Sequence, residues 1–344
     1  MLSAMSHPIP MSPPYRRLPP EGFRPSRAVF ASLAFAAAVL LVAGCKFREK
    51  ASDTVSANAG RSGGTILLFN AASIGRPLRV LADSFTARTS IAVVQQSQSS
   101  LELARKLTEF NDIPDVIALA DYKVFSKLLA PKYLDGWWIF ARNRLVIAYT
   151  DKSKYQNELA NDGWRKVITR SDVEVGRSDP NTDPSGYRTL MAFQLAELHY
   201  NEKGLAEKLL AAAPTRNVRP READQVGLLQ AGALDYIWTY ENLARGSGLK
   251  FVELPSSIDL GTAADSLTYA KASVRVAGKQ RGDSVTFAGE PILYGVAVPI
   301  AAPDSARAQQ FVQFMLSADG QRILKSAALD ALETPIASGS ARKP

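Results

Sequence analysis

Cysteine and histidine are almost missing from this chain. Its 344 residues include one cysteine, Cys45, and two histidines, His7 and His199. A single cysteine cannot form an intrachain disulfide, so stability must come from core packing. The two histidines do not have the spacing of metal ligands, and the sequence has neither a Gly-x-Ser-x-Gly elbow nor a phosphate-binding P-loop. These absences argue against the commonest hydrolase and nucleotide-dependent enzyme classes.

The chain is also short of long apolar runs. The uncharged stretch 28–42 is shorter than the ~20 residues that a membrane-spanning helix requires. It follows an arginine-rich segment and ends in small residues before Cys45, an order typical of a secretory signal. The position of Cys45 resembles the lipobox of bacterial lipoproteins. We therefore predict a signal peptide over residues 1–44, cleavage before Cys45 and lipidation of its sulfur; a single-pass N-terminal anchor is the alternative.

The basic residues form no cluster that predicts a nucleic-acid site. Removal of residues 1–44 takes away four arginines and one glutamate, which lowers the formal charge from +8 to +5. The remaining Lys and Arg side chains are scattered and are not interleaved with aromatic residues, so we expect no nucleic-acid partner. The mild positive surplus suits an anionic ligand or an anionic membrane surface equally well. Residues 45–64 are rich in Ser, Ala and Gly, which indicates a flexible tether.

From Thr65 onward, apolar strands alternate with amphipathic helices, which favours an α/β fold with parallel strands and helices on both faces. We expect two lobes joined by a two-strand hinge. The first lobe takes residues 65–143 and 294–338, and the second takes residues 144–293. The predicted strands are 65–70, 91–97, 115–120, 142–150, 173–178, 235–240, 250–255 and 291–299, and the predicted helices are 73–88, 100–110, 123–129, 184–200, 206–212, 222–230 and 305–317.

Three junctions at the starts of helices share one chemistry. The first contains FNAAS and ends at Ser73, a predicted N-cap. The second contains QQSQSSLE, in which Ser99 and Glu102 have the spacing of a capping box. The third contains SDPNTDPSG, in which Asp183 takes the N-cap position and Pro184 the first helical position. Because ligands of open α/β sheets lie beyond the carboxyl ends of the strands, we expect these junctions to line one cleft.

Helix N-termini carry partial positive charge and free N–H groups, so the three junctions predict an anion site. Gly186 is expected to let the backbone approach the ligand closely. Three acids do not fit a site for an ordinary anion. Asp179 and Asp183 in the third junction, and Asp224 in the segment EADQV, would repel sulfate or phosphate. Either these acids only cap helices, or the ligand has a metal centre that accepts carboxylate oxygen. Asp179 is expected to be structural, starting a turn with Pro180.

Several motifs together resemble the tungstate-type branch of the tungstate/molybdate-binding proteins of ABC importers. They are FNAAS, SSLELARKL, ADYKVFSKLLAPKY, WWIFARNRLVIAYT, GRSDPNTDPSGYRTLMAFQLAE, EADQVGLLQAGALDY and PILYGVAVP, which cover residues from about 65 to about 324. The resemblance implies a type II periplasmic binding protein fold. It also implies a protein of the cell envelope that closes on a tungstate or molybdate dianion and delivers it to the permease of an ABC importer.

The resemblance also assigns site residues. Carboxylates from the second lobe would complete the coordination of the metal atom of the ligand; by motif position they are Asp183 and Asp224. Glu222 and Glu241 are the alternatives for the second carboxylate, because Asp224 is one methylene shorter than the Glu of some family members. The oxyanion contacts implied are Ala72, Ser73, Ser99, Ser100, Ser185 and Tyr240. No cofactor, no enzymatic activity and a monomeric, lipid-anchored protein are expected.

Two other functions stay open at this point. The same fold could hold another oxyanion, such as sulfate or phosphate, with Arg188 or Arg142 as the cationic ligand and the acids as surface caps. An acid-pair hydrolase that uses Asp183 and Asp224 is the enzymatic alternative.

Overall fold

The computed structural model describes residues 64–160, 163–278 and 282–340. The predicted signal peptide 1–44, the lipidation site Cys45 and all of the tether except its last residue lie outside the described residues. All described residues belong to one compact unit. In that described part, no helix has both the length and the apolar composition of a membrane span.

Strands and helices alternate along most of the described chain. The strands are β1 Thr65–Ala71, β2 Ala92–Gln98, β3 Val116–Leu119, β4 Gly136–Asn143, β5 Leu145–Tyr149, β6 Val175–Ser178, β7 Val218–Arg219, β8 Tyr236–Tyr240, β9 Lys250–Glu253, β10 Ser273–Ala277, β11 Ser284–Ala288, β12 Ile292–Ala297 and β13 Asp330–Gly339. The helices are α1 Gly75–Thr89, α2 Ser100–Phe110, α3 Trp164–Ile168, α4 Pro184–Tyr200, α5 Leu205–Ala212, α6 Glu222–Ala231, α7 Glu241–Gly246, α8 Ser256–Asp259, α9 Ser266–Tyr269, α10 Ser305–Leu316 and α11 Ala318–Ser326. A 3₁₀ turn, Ala72–Ile74, joins β1 to α1. Ser73 lies inside this turn, so the prediction of Ser73 as an N-cap is wrong, and Ile74 takes the N-cap position of α1.

Two mixed sheets organise these elements, and the α/β fold class is confirmed. The first sheet has the order β13-β4-β12-β3-β1-β2, and the second has the order β7-β6-β8-β5-β9. In the first, β1 runs parallel to β2 and β3, whereas β12 and β13 pair antiparallel with their neighbours. In the second, β6 is parallel to β7 and β8, but β5 is antiparallel to β8 and β9. The expectation of parallel strands therefore holds for β1, β2 and β3 in the first sheet and for β6, β7 and β8 in the second.

The predicted single strand over residues 142–150 is wrong, because the chain changes sheets in the middle of it. β4 lies between β12 and β13 in the first sheet, and β5 lies between β8 and β9 in the second. Arg144 stands between the two strands, where its side chain pairs with Glu241 and Glu253. The hairpin of β10 and β11 was not predicted either, since a Gly-, Ser- and Thr-rich segment carries little strand signal.

Each sheet buries its own group of aromatic side chains. Phe85 of α1 meets Phe311 of α10 edge to face, with ring centroids 5.2 Å apart. Trp238 of β8 packs edge to face on Trp164 of α3 and on Phe193 of α4, at 5.8 and 5.1 Å. Burial of one large apolar side chain contributes about 1.5–3 kcal/mol, so these clusters fix α1 and α4 on their sheets. The N-terminal ends of both helices are thereby held at the sheet edges where ligands of α/β proteins bind.

Candidate functional site

The start of α4 is built by its two Asp-Pro pairs. Asp183 is the N-cap, as predicted, and its Oδ1 accepts a hydrogen bond from Ser185 N at 3.0 Å. Asp179 closes the preceding turn by accepting from Asn181 N at 2.8 Å, in keeping with its expected structural role. The expectation for Gly186 needs correction. A Cβ at Gly186 would lie about 2.5 Å from the backbone of Asp179, so this glycine admits the turn itself against the helix.

The second oxygen of Asp183 leads directly to another acid. Asp183 Oδ2 accepts a hydrogen bond from Glu222 N at 3.0 Å, across the junction between α4 and α6. The Glu222 carboxylate is itself buried, and its Oε1 accepts from Thr239 Oγ1 at 2.6 Å and from Tyr240 N at 2.5 Å. Glu222 Oε2 is also buried, and no hydrogen-bond partner for it exists in the described part of the chain. The structure thus brings together two buried carboxylates with one oxygen left unsatisfied.

Burial makes both carboxylates reluctant to ionise. It raises the pKa of Asp183 to about 6, against hydrogen bonds from the Glu222 and Ser185 backbones that lower it. Burial, together with the neighbouring charge of Asp183, raises the pKa of Glu222 to about 8. An N-cap needs one carboxylate at a surface, not two in a dry interior. The pair therefore exceeds what capping α4 requires. Among the described residues, no group of three or more His, Cys, Asp or Glu side chains is placed to hold a metal ion.

Asp224 does not join this pair. Its side chain is 32% exposed, and its Oδ1 lies 2.8 Å from Nη2 of Arg221. Residues two positions apart on an α-helix differ by about 200° in direction, so Glu222 and Asp224 leave α6 on opposite sides. Geometry therefore places Glu222, one of the two alternatives to Asp224, beside Asp183, and places Asp224 on the other side of α6. Glu241, the other alternative, is occupied by Arg144 and by Arg245 at 2.6 Å each.

The first-lobe serines differ in how their hydroxyls are used. Ser73 is held by Asn242 Nδ2, which donates to its carbonyl at 2.8 Å. Its buried Oγ lies near the Tyr294 hydroxyl, whose pKa is raised by burial and only partly lowered by Asn143 and Ser73. Within the described residues, Ser73 Oγ makes no hydrogen bond of good geometry, so its influence on Tyr294 is one of proximity. Ser100 Oγ accepts from Ala120 N at 3.1 Å, which leaves its own proton free to donate.

The other predicted contacts differ in their burial and in the hydrogen bonds that they make. Ser99 Oγ donates to Glu102, so the proton of this hydroxyl is committed to the start of α2. Ala72 is half-buried in the 3₁₀ turn beside Ser73. Ser185 Oγ is buried with no partner in the described chain. Tyr240 is fully buried, and its hydroxyl accepts from Arg188 Nη1 at 2.8 Å, so its proton is also available to donate.

Two hydrogen bonds join the second of the three junctions to the third. Leu101 N, in the first turn of α2, donates to the Thr182 carbonyl at 3.1 Å. Arg105, one turn further along α2, donates to the Asn181 carbonyl at 2.8 Å. The start of α2 therefore abuts the loop that precedes Asp183, as the prediction of a shared cleft requires.

Asp121 and Asn143 were not predicted as site residues. Asp121 directly follows the end of β3, and its carboxylate contacts Arg188 of α4. Asn143 ends β4 and donates to Asn242 at 2.6 Å and to Tyr294 at 2.5 Å, which fixes Asn242 under Ser73. The only sequence signal for Asp121 is its place at the carboxyl end of a strand, where site residues of α/β proteins collect. Arg142, weighed as an anion ligand, is instead an exposed partner of Asp330.

Comparison with known sequences identifies relatives over most of the chain. The family model described as "Bacterial extracellular solute-binding protein" matches residues 66–328. A solute-binding protein of Petrotoga mobilis is 37% identical over 79% of this chain and 85% of its own length. Molybdate/tungstate-binding protein WtpA of Pyrococcus abyssi is 32% identical over 82% of this chain and 88% of its own length. The WtpA protein of Thermococcus kodakarensis is 31% identical, with 88% and 92% covered.

Solved structures agree on the fold. The periplasmic molybdate-binding protein of Azotobacter vinelandii matches with a TM-score of 0.54 at 20% identity, over 77% of this chain and 98% of its own. The sulfate-binding protein SubI of Mycobacterium tuberculosis matches with a TM-score of 0.57 at 14% identity, over 78% and 87%. At these identities the likeness concerns the fold alone, and it confirms the periplasmic binding protein architecture expected from the motifs. By the extent of the family match and of its relatives, this chain belongs to the bacterial extracellular solute-binding protein family.

Proposed function

We propose that this protein captures tungstate or molybdate dianions in the cleft between its two sheets and delivers them to the permease of an ABC importer. The observation that carries the proposal is the buried pair of Asp183 and Glu222 with its unsatisfied oxygen. Relatives named for molybdate and tungstate binding, 31–32% identical over most of the chain, support the same ligand class.

The donors around the pair suit an ion that has both oxygens and an electrophilic centre. The free hydroxyl protons of Ser100 and Tyr240, together with the backbone of Ser73, would donate to the oxygens of the dianion. Glu222 Oε2 and Asp183 would approach the metal atom, since a hard, high-valent centre accepts hard carboxylate oxygen. Sulfate and phosphate offer no such centre, so the same carboxylates would repel them. The acid pair would thus provide affinity for one class of anion and exclusion of the other.

A receptor for sulfate or phosphate is the alternative in the same fold. It would need a cationic or neutral donor set, and the buried guanidinium of Arg188 is the nearest candidate. Arg188 already pairs with the Asp121 carboxylate, which argues against a role for its guanidinium in binding sulfate or phosphate.

Calorimetric titration of the purified protein with tungstate, molybdate, sulfate and phosphate tests the proposal. We expect the two metalates to bind at least about a thousandfold more tightly than the other two anions, a difference of about 4 kcal/mol. Sulfate binding equal to tungstate binding would remove the acid pair from the proposal.

X-ray absorption at the tungsten edge tests the coordination directly. If both carboxylates bind the metal, tungsten in the complex has six oxygen neighbours, whereas free tungstate has four. A four-coordinate spectrum in the complex would leave Asp183 and Glu222 outside the coordination sphere. It would not affect the serine and backbone contacts.

Membership of an extracellular solute-binding family implies a location in the cell envelope and a role in solute capture. We further propose a monomer without cofactor or enzymatic activity, anchored to the membrane by a lipid on Cys45. Metabolic labelling with palmitate checks the anchor: we expect label on the wild-type chain and none on the Cys45→Ser variant. Label retained by that variant would overturn the assignment.

A further inference from the structure

A buried guanidinium joins the two sheets beside the acid pair. Arg188 lies in the first turns of α4, and only 2% of its side chain is exposed. Its Nη1 donates to the Ala120 carbonyl at 2.7 Å and to the Tyr240 hydroxyl at 2.8 Å. Ala120 follows β3 of the first sheet, whereas Tyr240 ends β8 of the second. Arg188 therefore contacts both walls of the cleft at once.

Asp121 receives the other side of this guanidinium. Asp121 Oδ2 lies 3.0 Å from Arg188 Nη2 and also accepts a hydrogen bond from the Tyr187 hydroxyl. Asp121 Oδ1 accepts from Lys123 N at 2.8 Å, which fixes the carboxylate on its own loop. Arg188 Nη2 is buried and makes no directed hydrogen bond within the described residues, so charge holds it beside Asp121. The ion pair between Asp121 and Arg188 exists only when the loop after β3 is in contact with α4.

The ion pair between Arg188 and Asp121 bears on which anions the cleft can bind. The guanidinium and the acid pair share a neighbour: Arg188 Nη1 donates to the Tyr240 hydroxyl at 2.8 Å, and Tyr240 N donates to Glu222 Oε1 at 2.5 Å. Arg188 therefore lies beside the acid pair. An arginine side chain is the group best suited to bind sulfate or phosphate, because its fork matches two of their oxygens. Here Nη1 is used by Ala120 and Tyr240, and Nη2 is neutralised by Asp121. The closed cleft therefore contains a cation that is already paired.

We propose that Asp121 is a specificity-determining positioning residue: it withholds the Arg188 guanidinium from the ligand and so keeps the closed cleft selective for metalates over sulfate. The proposal rests on the proposed function. If Asp121 loses its charge, Arg188 becomes free to turn toward the anion or toward Glu222. The first move favours sulfate and phosphate, and the second occupies the carboxylate that a metal atom needs. Both moves shift selectivity in the same direction.

The test is calorimetric titration of the full chain with tungstate and with sulfate, comparing wild type with Asp121→Asn. Asparagine keeps the shape of the side chain and an oxygen for Lys123 N, removes the charge, and places an amide NH₂ where the oxygen faced Arg188 and the Tyr187 hydroxyl. We expect tungstate affinity to fall at least tenfold and sulfate affinity to rise at least tenfold. Asp330→Asn is the matched control, because Asp330 pairs with Arg142 at 2.7 Å on the exposed edge of the first sheet and does not reach the cleft. Its affinities should stay within twofold of wild type.

The double variant Asp121→Asn with Arg188→Gln identifies the group responsible. If the freed guanidinium causes the gain in sulfate binding, the double variant loses that gain. A general loosening of the protein would instead weaken both anions in Asp121→Asn, and that result overturns the proposal. So does a ratio of the two affinities that stays unchanged.

Tyr187→Phe keeps the test decisive if Asp121→Asn fails to fold. It removes the hydroxyl that donates to Asp121 and leaves both charges in place. We expect a shift in selectivity of about threefold in the same direction, and no shift in this variant would then overturn the proposal. A wild-type protein that binds neither tungstate nor molybdate would refute the proposed function. The role of Asp121 would still be decided, because release of Arg188 predicts a gain of sulfate binding by Asp121→Asn regardless of the natural ligand.

Discussion

Glu222 and Asp224 are two acids on the first turn of one helix, and their environments are opposite. Glu222 is fully buried, lies against Asp183 and has a pKa of about 8. Asp224 is about one-third exposed and forms a surface ion pair with Arg221. Their sequence context is the same motif, EADQV, and only the direction of each side chain from α6 separates them. A carboxylate near a site therefore gains its chemistry from desolvation and from its neighbours, not from its place in a motif.

The largest expected effect is on tungstate binding, which should distinguish Glu222 from Asp224. We expect Glu222→Ala to weaken tungstate binding at least about a hundredfold, roughly 3 kcal/mol, since it removes a ligand of the metal atom. Asp224→Ala should stay within about threefold of wild type, because its side chain faces Arg221. Calorimetric titration of both variants makes the comparison. The reverse order of effects would restore Asp224 as the second carboxylate.

A smaller effect concerns the stability of the ligand-free protein. The folded-state pKa of Glu222 is about 8, above the ordinary value of 4.5. The contribution of the protonated side chain to the free energy of unfolding is therefore fully present below about pH 4.5 and is lost as the pH rises through 8. Glu222→Gln removes this cost of ionisation. We expect the variant to be about 2 kcal/mol more stable than wild type at pH 8, allowing for water that enters the empty cleft.

Urea unfolding at pH 5 and pH 8 measures this difference in the free energy of unfolding. The advantage of Glu222→Gln should grow with pH, and Asp224→Asn, as the matched control, should show no such growth. An equal advantage at both pH values would mean that the pKa of Glu222 in the folded protein is not raised above its value in the unfolded chain.

The next effect is the number of protons released when tungstate binds. At pH 7, a Glu222 carboxyl with a pKa of about 8 is mostly protonated, whereas an Asp183 carboxyl with a pKa of about 6 is mostly ionised. Coordination of a metal atom requires both carboxylates to be ionised, so binding should release about one proton. Affinity for tungstate should then rise with pH, by roughly tenfold per unit between pH 6 and 8. Titration in buffers of different ionisation enthalpy measures the release, and an absence of proton release would contradict metal coordination by Glu222.

The smallest effect is expected at the surface pair. Arg221→Gln removes the partner of Asp224, and exposed ion pairs contribute only about 0.2–1 kcal/mol. We expect a change in the free energy of unfolding below about 0.5 kcal/mol that disappears at high salt, measured by urea unfolding. A larger loss, or a loss of tungstate affinity, would show that Asp224 is coupled to the cleft through α6.

Local signals predicted much of the fold and the N-cap position of Asp183. The bounds of α2 agree with the prediction, and Asp183 is the N-cap of α4, because capping depends on residues adjacent in the chain. The division of 142–150 into β4 and β5 was missed, since the apolar pattern continues through Arg144 while the strands enter different sheets. The hairpin of β10 and β11 was missed because its strands gain their stability from pairing with each other.

The sequence by itself determined the α/β class, the Ser- and Asp-capped helix starts and the family resemblance, because each depends on residue type at short spacing. Only the tertiary structure decided that Glu222, not Asp224, lies against Asp183, and that Asp121 pairs with Arg188 across the cleft. These contacts join residues 39 and 67 positions apart. The direction of a side chain from its helix, and the neighbours that exclude water from it, exist only once the two sheets have packed.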